Sequence, residues 1–159
     1  MDEWNLRTAT SGDIRSVLAL WQVADSLPTA TDSVKALEHL LKLDAEALLI
    51  AELDSKVIGS LIAAWDGWRG SFYRLAVHPA WRRRGVASSL VDAGEERLRA
   101  LGAVRLTAIV ATDEHAAMGI WRAAGFELQA NRSRFVRLTP EQSAPPRANA
   151  DDEPRARDD

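Results

Sequence analysis

Residues 72–90, reading FYRLAVHPAWRRRGVASSL, constrain the fold of this chain more than any other stretch. They begin as a strand, turn at Pro79, pass through three arginines and a glycine, and enter an amphipathic helix. Cations beside a helix N-terminus oppose the positive end of the helix dipole and by themselves weaken the helix. The order becomes favourable when an anion such as a diphosphate rests on the free N–H groups of the first turn, with Arg82, Arg83 and Arg84 alongside. The loop therefore reads as an anion cradle. The competing reading is a solvated basic turn, and the surrounding order of elements decides between them.

Before this loop, Thr10 and Asp13 have capping-box spacing, and Ile14, Val17, Leu18 and Trp21 follow at helical intervals, predicting a helix over 12–24. Pro28 breaks it, and a second helix starts near Thr31 with Val34, Leu37, Leu40 and Leu41 inward. Residues 47–53 and 57–65 read as strands around a tight hairpin at Asp54-Ser55-Lys56, although the usual Asn-Gly signal is missing. Gly59 marks a bulge or a close backbone approach. Residues 71–77 form the next strand. After the arginine loop a helix spans 85–100, with Gly94 on its inward face and Gly102 as its left-handed cap. Residues 104–110 form a strand that a right-handed crossover places parallel to the earlier one. A helix from Asp113 to Gly125 follows, and then strands at 126–130 and 134–138 as a hairpin.

Residues 1–139 are thus expected to form a single domain. Residues 140–159 are polar and proline-bearing, and they carry too little apolar surface to offset their ordering entropy, so a disordered tail is expected. The formal net charge of −3 argues against a dedicated nucleic-acid binder. There is no cysteine, which excludes disulfides, thiolate metal sites and cysteine nucleophiles. His39, His78 and His115 have no metal-ligand spacing, so no metal is expected. No basic-then-apolar signal pattern and no apolar run of membrane-spanning length is present; a cytoplasmic protein without membrane partners is the expectation.

The string LAVHP followed by Arg82-Arg83-Arg84-Gly85-Val86-Ala87, with Gly125-Phe126 downstream, resembles the GNAT-type N-acetyltransferase superfamily over residues 4–138. Residues 65–91 look particularly like the small bacterial YpeA-like group. The resemblance implies a three-layer α+β fold: a mixed, mostly antiparallel sheet with two central, splayed parallel strands, and helices on both faces. It implies acetyl-CoA in the splay, its pantetheine arm against the backbone of Leu75, Ala76 and Val77. The diphosphate would lie on Arg82, Arg83, Arg84, Gly85, Val86, Ala87 and Ser88. Residues Glu114, Ala117 and Trp121 occupy the family's positions on the last helix. The acceptor would be a small-molecule amine or a protein or peptide amine, and the protein a monomer or homodimer. A non-catalytic acyl-CoA-binding module is the alternative.

The chain departs from that pattern at two places. Trp121 stands where the family often has a tyrosine that protonates the leaving thiolate, and an indole N–H cannot supply that proton. It is either a wall beside the thiol or ordinary core. Ser71 lies near where some relatives place a carboxylate base. Tyr73 is read on the same strand face as Leu75 and Val77, as a candidate proton carrier or substrate contact. Asp66 and Glu52 are the nearest acids, each with a structural reading beside the catalytic one. Asp25 and Asp32 are candidates to attract a cationic amine. Trp65, Trp68 and Trp81 line an acceptor mouth or pack, with packing favoured for Trp81.

Overall fold

A computed structural model describes residues 3–24 and 26–139 of the chain. Its elements are β1 (Asn5–Thr8), α1 (Ile14–Val23), α2 (Val34–Leu43), β2 (Leu48–Leu53), β3 (Lys56–Trp65), β4 (Gly70–Val77), α3 (Val86–Leu101), β5 (Leu106–Ala108) and α4 (His115–Ala123). The sheet runs β1-β2-β3-β4-β5, antiparallel up to β4, with β5 parallel to β4. This is the expected mixed sheet of an α+β fold.

Two cores form because the sheet is apolar on both faces. On one face Leu61, Phe72, Val86, Leu90, Leu98 and Trp121 join α3 and α4 to the sheet. On the other, Ile14, Val17, Trp21, Leu37, Ile50 and Ile62 seat α1 and α2. Helix α3 lies close because glycines face it and sit on it: a Cβ at Gly59 would stand 2.8 Å from Val86 Cγ1, and one at Gly94 2.8 Å from Phe72 Cε1. Gly59 is therefore a close approach, next to an irregularity in the β2–β3 register.

Local signals explain the boundaries. The Thr10 N–H donates to the Asp13 carboxylate at 2.8 Å, so the capping box forms, ahead of a single 3-10 turn and α1. Ser33 accepts the Ala36 N–H at 3.1 Å and starts α2. The β2–β3 turn has Asp54 and Ser55 both at positive φ (48° and 62°), the geometry of a two-residue hairpin turn formed without Asn-Gly. Gly102 (φ 106°) caps α3, with the Ala103 N–H reaching the Leu98 carbonyl at 2.9 Å.

The expectation for residues 126–138 is corrected. Among the described residues no strand follows β5, and β5 itself is only three residues long, so the parallel pair forms the edge of the described sheet. Phe126 turns inward, but Leu128, Phe135, Val136 and Leu138 remain exposed. Alternation specifies which faces a strand would show; a strand also needs a partner ladder, and this segment has none here. The polar tail at 140–159 lies outside the described residues.

Candidate active site

The site begins where β4 and β5 part company. They pair only at Gly70–Leu106, Ser71–Thr107 and Phe72–Ala108. Beyond Phe72, β4 continues to Val77 with β3 on one side and no β5 residue on the other. Ala76 faces Ser60 and Val77 faces Gly59, and the His78 N–H bonds the Ile58 carbonyl at 2.8 Å. Alternation along an antiparallel pair then turns the backbone polar groups of Val77 away from β3, with those of Leu75 two residues earlier. These groups line an open strand edge inside the splay, which is what an extended amide-bearing chain needs.

At the C-terminal end of β4 the loop is held rigidly. His78 Nδ1 accepts the Ala80 N–H at 3.2 Å, and the Trp81 N–H bonds the His78 carbonyl at 2.8 Å, making a 3-10 turn at Pro79–Trp81. His78 thus shapes the turn, and Trp81 packs on the core. Arg82 does not reach outward. Its Nε donates to the Val77 carbonyl at 3.3 Å and its Nη2 to the Ala24 carbonyl at 3.1 Å, tying the end of α1 to β4. The Arg84 guanidinium stacks over the Trp81 ring at 4.8 Å.

Arg83 (φ 61°) and Gly85 (φ 87°) are both left-handed, so the backbone curls into the start of α3. No side chain caps that helix. Its first N–H groups, through Val86, Ala87 and Ser88, have no intrahelical acceptor and carry the positive end of the dipole. Successive donors in a curled backbone make an anion-binding concavity. Gly85 is needed for its φ: a Cβ there would meet nothing nearer than the Trp4 ring at 4.0 Å.

Tyr73 is not where alternation put it. The ladder shifts between Ser60 and Ile62, where Arg74 and Leu75 oppose the single residue Leu61, and Arg74 has φ 56°. This bulge reverses the facing of the strand. Leu75 and Val77 pack with Phe72 on the α3 face, whereas Tyr73 pairs with Ile62, a residue of the α1–α2 face. Tyr73 is 45% exposed there. It therefore does not share a face with Leu75 and Val77.

Trp121 is buried at 7% exposure in an aromatic cluster, 5.3 Å from the Phe72 ring and 5.0 Å from Phe126. It packs as core. Glu114 is the exposed N-cap residue of α4, without a side-chain cap bond, and Ala117 is half-buried.

The nominated acids have partners. Glu52 accepts from Arg7 at 2.6 Å, and the same guanidinium clasps Asp13 at 2.8 and 2.9 Å. Asp66 accepts the Trp68 and Arg69 N–H groups at 2.8 and 2.7 Å, and these bonds hold its carboxyl below the ordinary range. Asp32 pairs with Arg74. Asp25 lies outside the described residues. Trp65 packs on the core, while Trp68 is exposed beneath the Arg69 guanidinium at 3.9 Å. Among the described residues no cluster of His, Asp and Glu can hold a metal ion, and no helix is long and apolar enough to cross a membrane.

Arg74 is the residue the sequence reading passed over. A cation interrupting the apolar run of β4 was the available signal for the bulge.

The sequence pattern of the acetyltransferase (GNAT) family matches residues 14–126. The chain belongs to that family. It is 35% identical over 124 residues to an acetyltransferase of Yersinia enterocolitica, covering 78% of this chain and 88% of that one. It is 33% identical over 122 residues to an acetyltransferase of Pectobacterium atrosepticum, covering 77% and 86%. Among solved structures, Ard1 from Thermoplasma volcanium superposes with a TM-score of 0.72 at 22% identity, covering 80% of this chain and 84% of that one. The aminoglycoside acetyltransferase AAC(6')-Iy, solved with a CoA-containing bisubstrate analogue, gives 0.67 at 21%, covering 87% and 99%. These two likenesses establish the fold, and family membership makes acetyl transfer the general activity.

Proposed function

We propose that this GNAT acetyltransferase takes acetyl-CoA as donor and transfers the acetyl group to an amine by direct attack within a ternary complex. The observation that carries the reading is the open edge of β4 running straight into the uncapped, left-handed entry to α3. Amide-bearing pantetheine suits the edge over Leu75, Ala76 and Val77, meeting the outward polar groups of Leu75 and Val77 on either side of Ala76, which faces Ser60. A diphosphate suits the donors from Arg83 to Ser88, with Arg82 fixing the loop from behind. Glu114, Ala117 and Trp121 enter the proposal only as the helix bordering the splay, Trp121 by packing.

When bound, acetyl-CoA supplies an activated acyl carbon; the amine lone pair forms the C–N bond as the C–S bond breaks. A lysine-type amine has a pKa near 10.4, so reaching its neutral form at pH 7 costs about 4–5 kcal/mol. Desolvation at the site and a proton acceptor lower that cost. The carbonyl oxygen gains charge during attack, and N–H groups on the free β4 edge are the proposed donors to it. Tyr73, exposed on the α1–α2 side of β4, is the proposed proton carrier. Proximity supplies much of the remaining rate. The acceptor class is a small-molecule amine or a protein or peptide amine, reached in the cytoplasm.

The test is calorimetric titration with CoA, followed by thiol release from acetyl-CoA across a panel of amines. Binding and amine-dependent release are expected. Binding with no release from any amine would favour a non-catalytic acyl-CoA-binding module, a reading encouraged by the partnering of Glu52, Asp66 and Asp32. No binding would refute both.

A further inference from the structure

Arg74 occupies a conformation that non-glycine residues rarely adopt, yet it sits in the middle of β4. Its side chain is engaged through Nε and Nη2 on the α1–α2 face. Nε donates to Asp32 Oδ1 at 3.0 Å, Nη2 donates to the second Asp32 oxygen, and Nη2 also reaches the Leu27 carbonyl at 2.9 Å and Thr29 Oγ1 at 3.4 Å. The guanidinium lies over the Trp21 ring, 5.0 Å from its centroid. Trp21 in turn donates its indole N–H to the buried Ser60 hydroxyl at 2.8 Å, and Ser60 Oγ faces the Arg74 carbonyl at 3.5 Å. Asp32 also accepts the Thr29 N–H at 3.0 Å, so the loop is folded around the carboxylate that grips Arg74.

One side chain thus joins two things that differ in function. Its backbone makes the bulge that aims the free edge of β4 into the splay. Its guanidinium holds the loop between α1 and α2, the helices that cover the sheet face on which exposed Tyr73 lies. Resting on the acetyl-CoA reading above, we infer that Arg74 is a positioning residue that couples the acceptor-side loop to the bulge facing the thioester, with Asp32 as its latch. A planar fork is required, because two parallel donors fix the loop's orientation and not merely its charge.

The experiment has two arms and uses the full chain as wild type, Asp32→Asn and Arg74→Lys. In the first, hydrogen exchange is measured without any ligand. Both variants are expected to speed exchange at least tenfold in residues 26–33 and, together with them, at the Ala76 and His78 amides, which face β3, while β2 and its ladder with β3 before the bulge keep wild-type rates. A loop that loosens alone, with Ala76 and His78 unchanged, or no change in either segment, overturns the coupling whether or not CoA binds. In the second arm, the carbonyl stretch of bound [1-13C]acetyl-CoA is read by isotope-edited infrared spectroscopy. Wild type is expected to lower it from the free value. Both variants are expected to return it toward that value while binding CoA within about twofold of wild type, since the diphosphate loop is untouched. An unshifted band in the variants relative to wild type overturns the role at the thioester. If the first arm succeeds and wild type binds no CoA, the donor assignment fails and the latch stands.

Discussion

Replacing Gly85 separates two demands that the phosphate-loop reading places on one residue. Its φ of 87° and ψ of 2° are left-handed, and the space where a Cβ would project is empty out to the Trp4 ring at 4.0 Å. In the free protein the penalty is therefore conformational. Alanine should cost about 1–2 kcal/mol, the ordinary price of a left-handed L-residue. Asparagine, which tolerates this region better, should cost less. For a chain of this size about 1 kcal/mol moves the melting temperature by about 2–4 °C, so alanine should lower it by about 2–8 °C. With CoA present the order should reverse, because the projecting atoms now occupy the ground where the diphosphate would rest. Losing one charge-assisted hydrogen bond removes about 1.5–3 kcal/mol, or about 10- to 150-fold in affinity. The bulkier asparagine should then bind CoA at least as poorly as alanine despite its better fold. Thermal melts and calorimetric titrations of both variants check this. If CoA affinity followed stability, with asparagine the better binder, or if neither variant lost affinity, the claim that backbone donors at Gly85 meet the diphosphate would be wrong.

Asp44→Ala should destabilise the protein by about 2–4 kcal/mol in denaturant melts, because the largely buried Arg97 would lose its carboxylate and keep only the Ala63 carbonyl at 2.6 Å. Gly94→Ala should cost about 1–3 kcal/mol by overpacking against Phe72 and Leu61, in contrast to Gly85, where space is free. The Arg7 guanidinium holds the Asp13 carboxyl far below its ordinary 3.8, so the stability it contributes is complete above that value and drains as pH falls toward the folded pKa. Melting temperature should thus drop between about pH 4 and pH 2, and Asp13→Asn should flatten that part of the profile.

What could be read from the sequence divides along a physical line. Helices α1 to α4 and the β2–β4 meander were legible because their apolar residues recur at the period their backbone imposes, as Val17 and Trp21 do on α1 and Leu90, Gly94 and Leu98 on α3. The arginine loop was legible because its charge sits on the wrong side of a dipole. Periodicity failed at Tyr73, since a bulge shifts the count by one residue and nothing in a period reports an insertion. The clue was chemical: Arg74 in an apolar strand needs a partner, and Asp32, 42 residues earlier, provides it. The same blindness explains Trp121. Spacing put it inward but left open whether inward meant the splay or the core. Only the positions of Phe72 and Phe126, brought together from separate elements at 5.9 Å, decide that it closes an aromatic cluster. A tyrosine at 121 would keep most of that packing but bury a hydroxyl among rings. On this packing a Trp121→Tyr enzyme gains a proton donor only if the hydroxyl can turn out of the cluster, and turnover at saturating acetyl-CoA that fails to rise would show that burial, not the lost acid, governs this position.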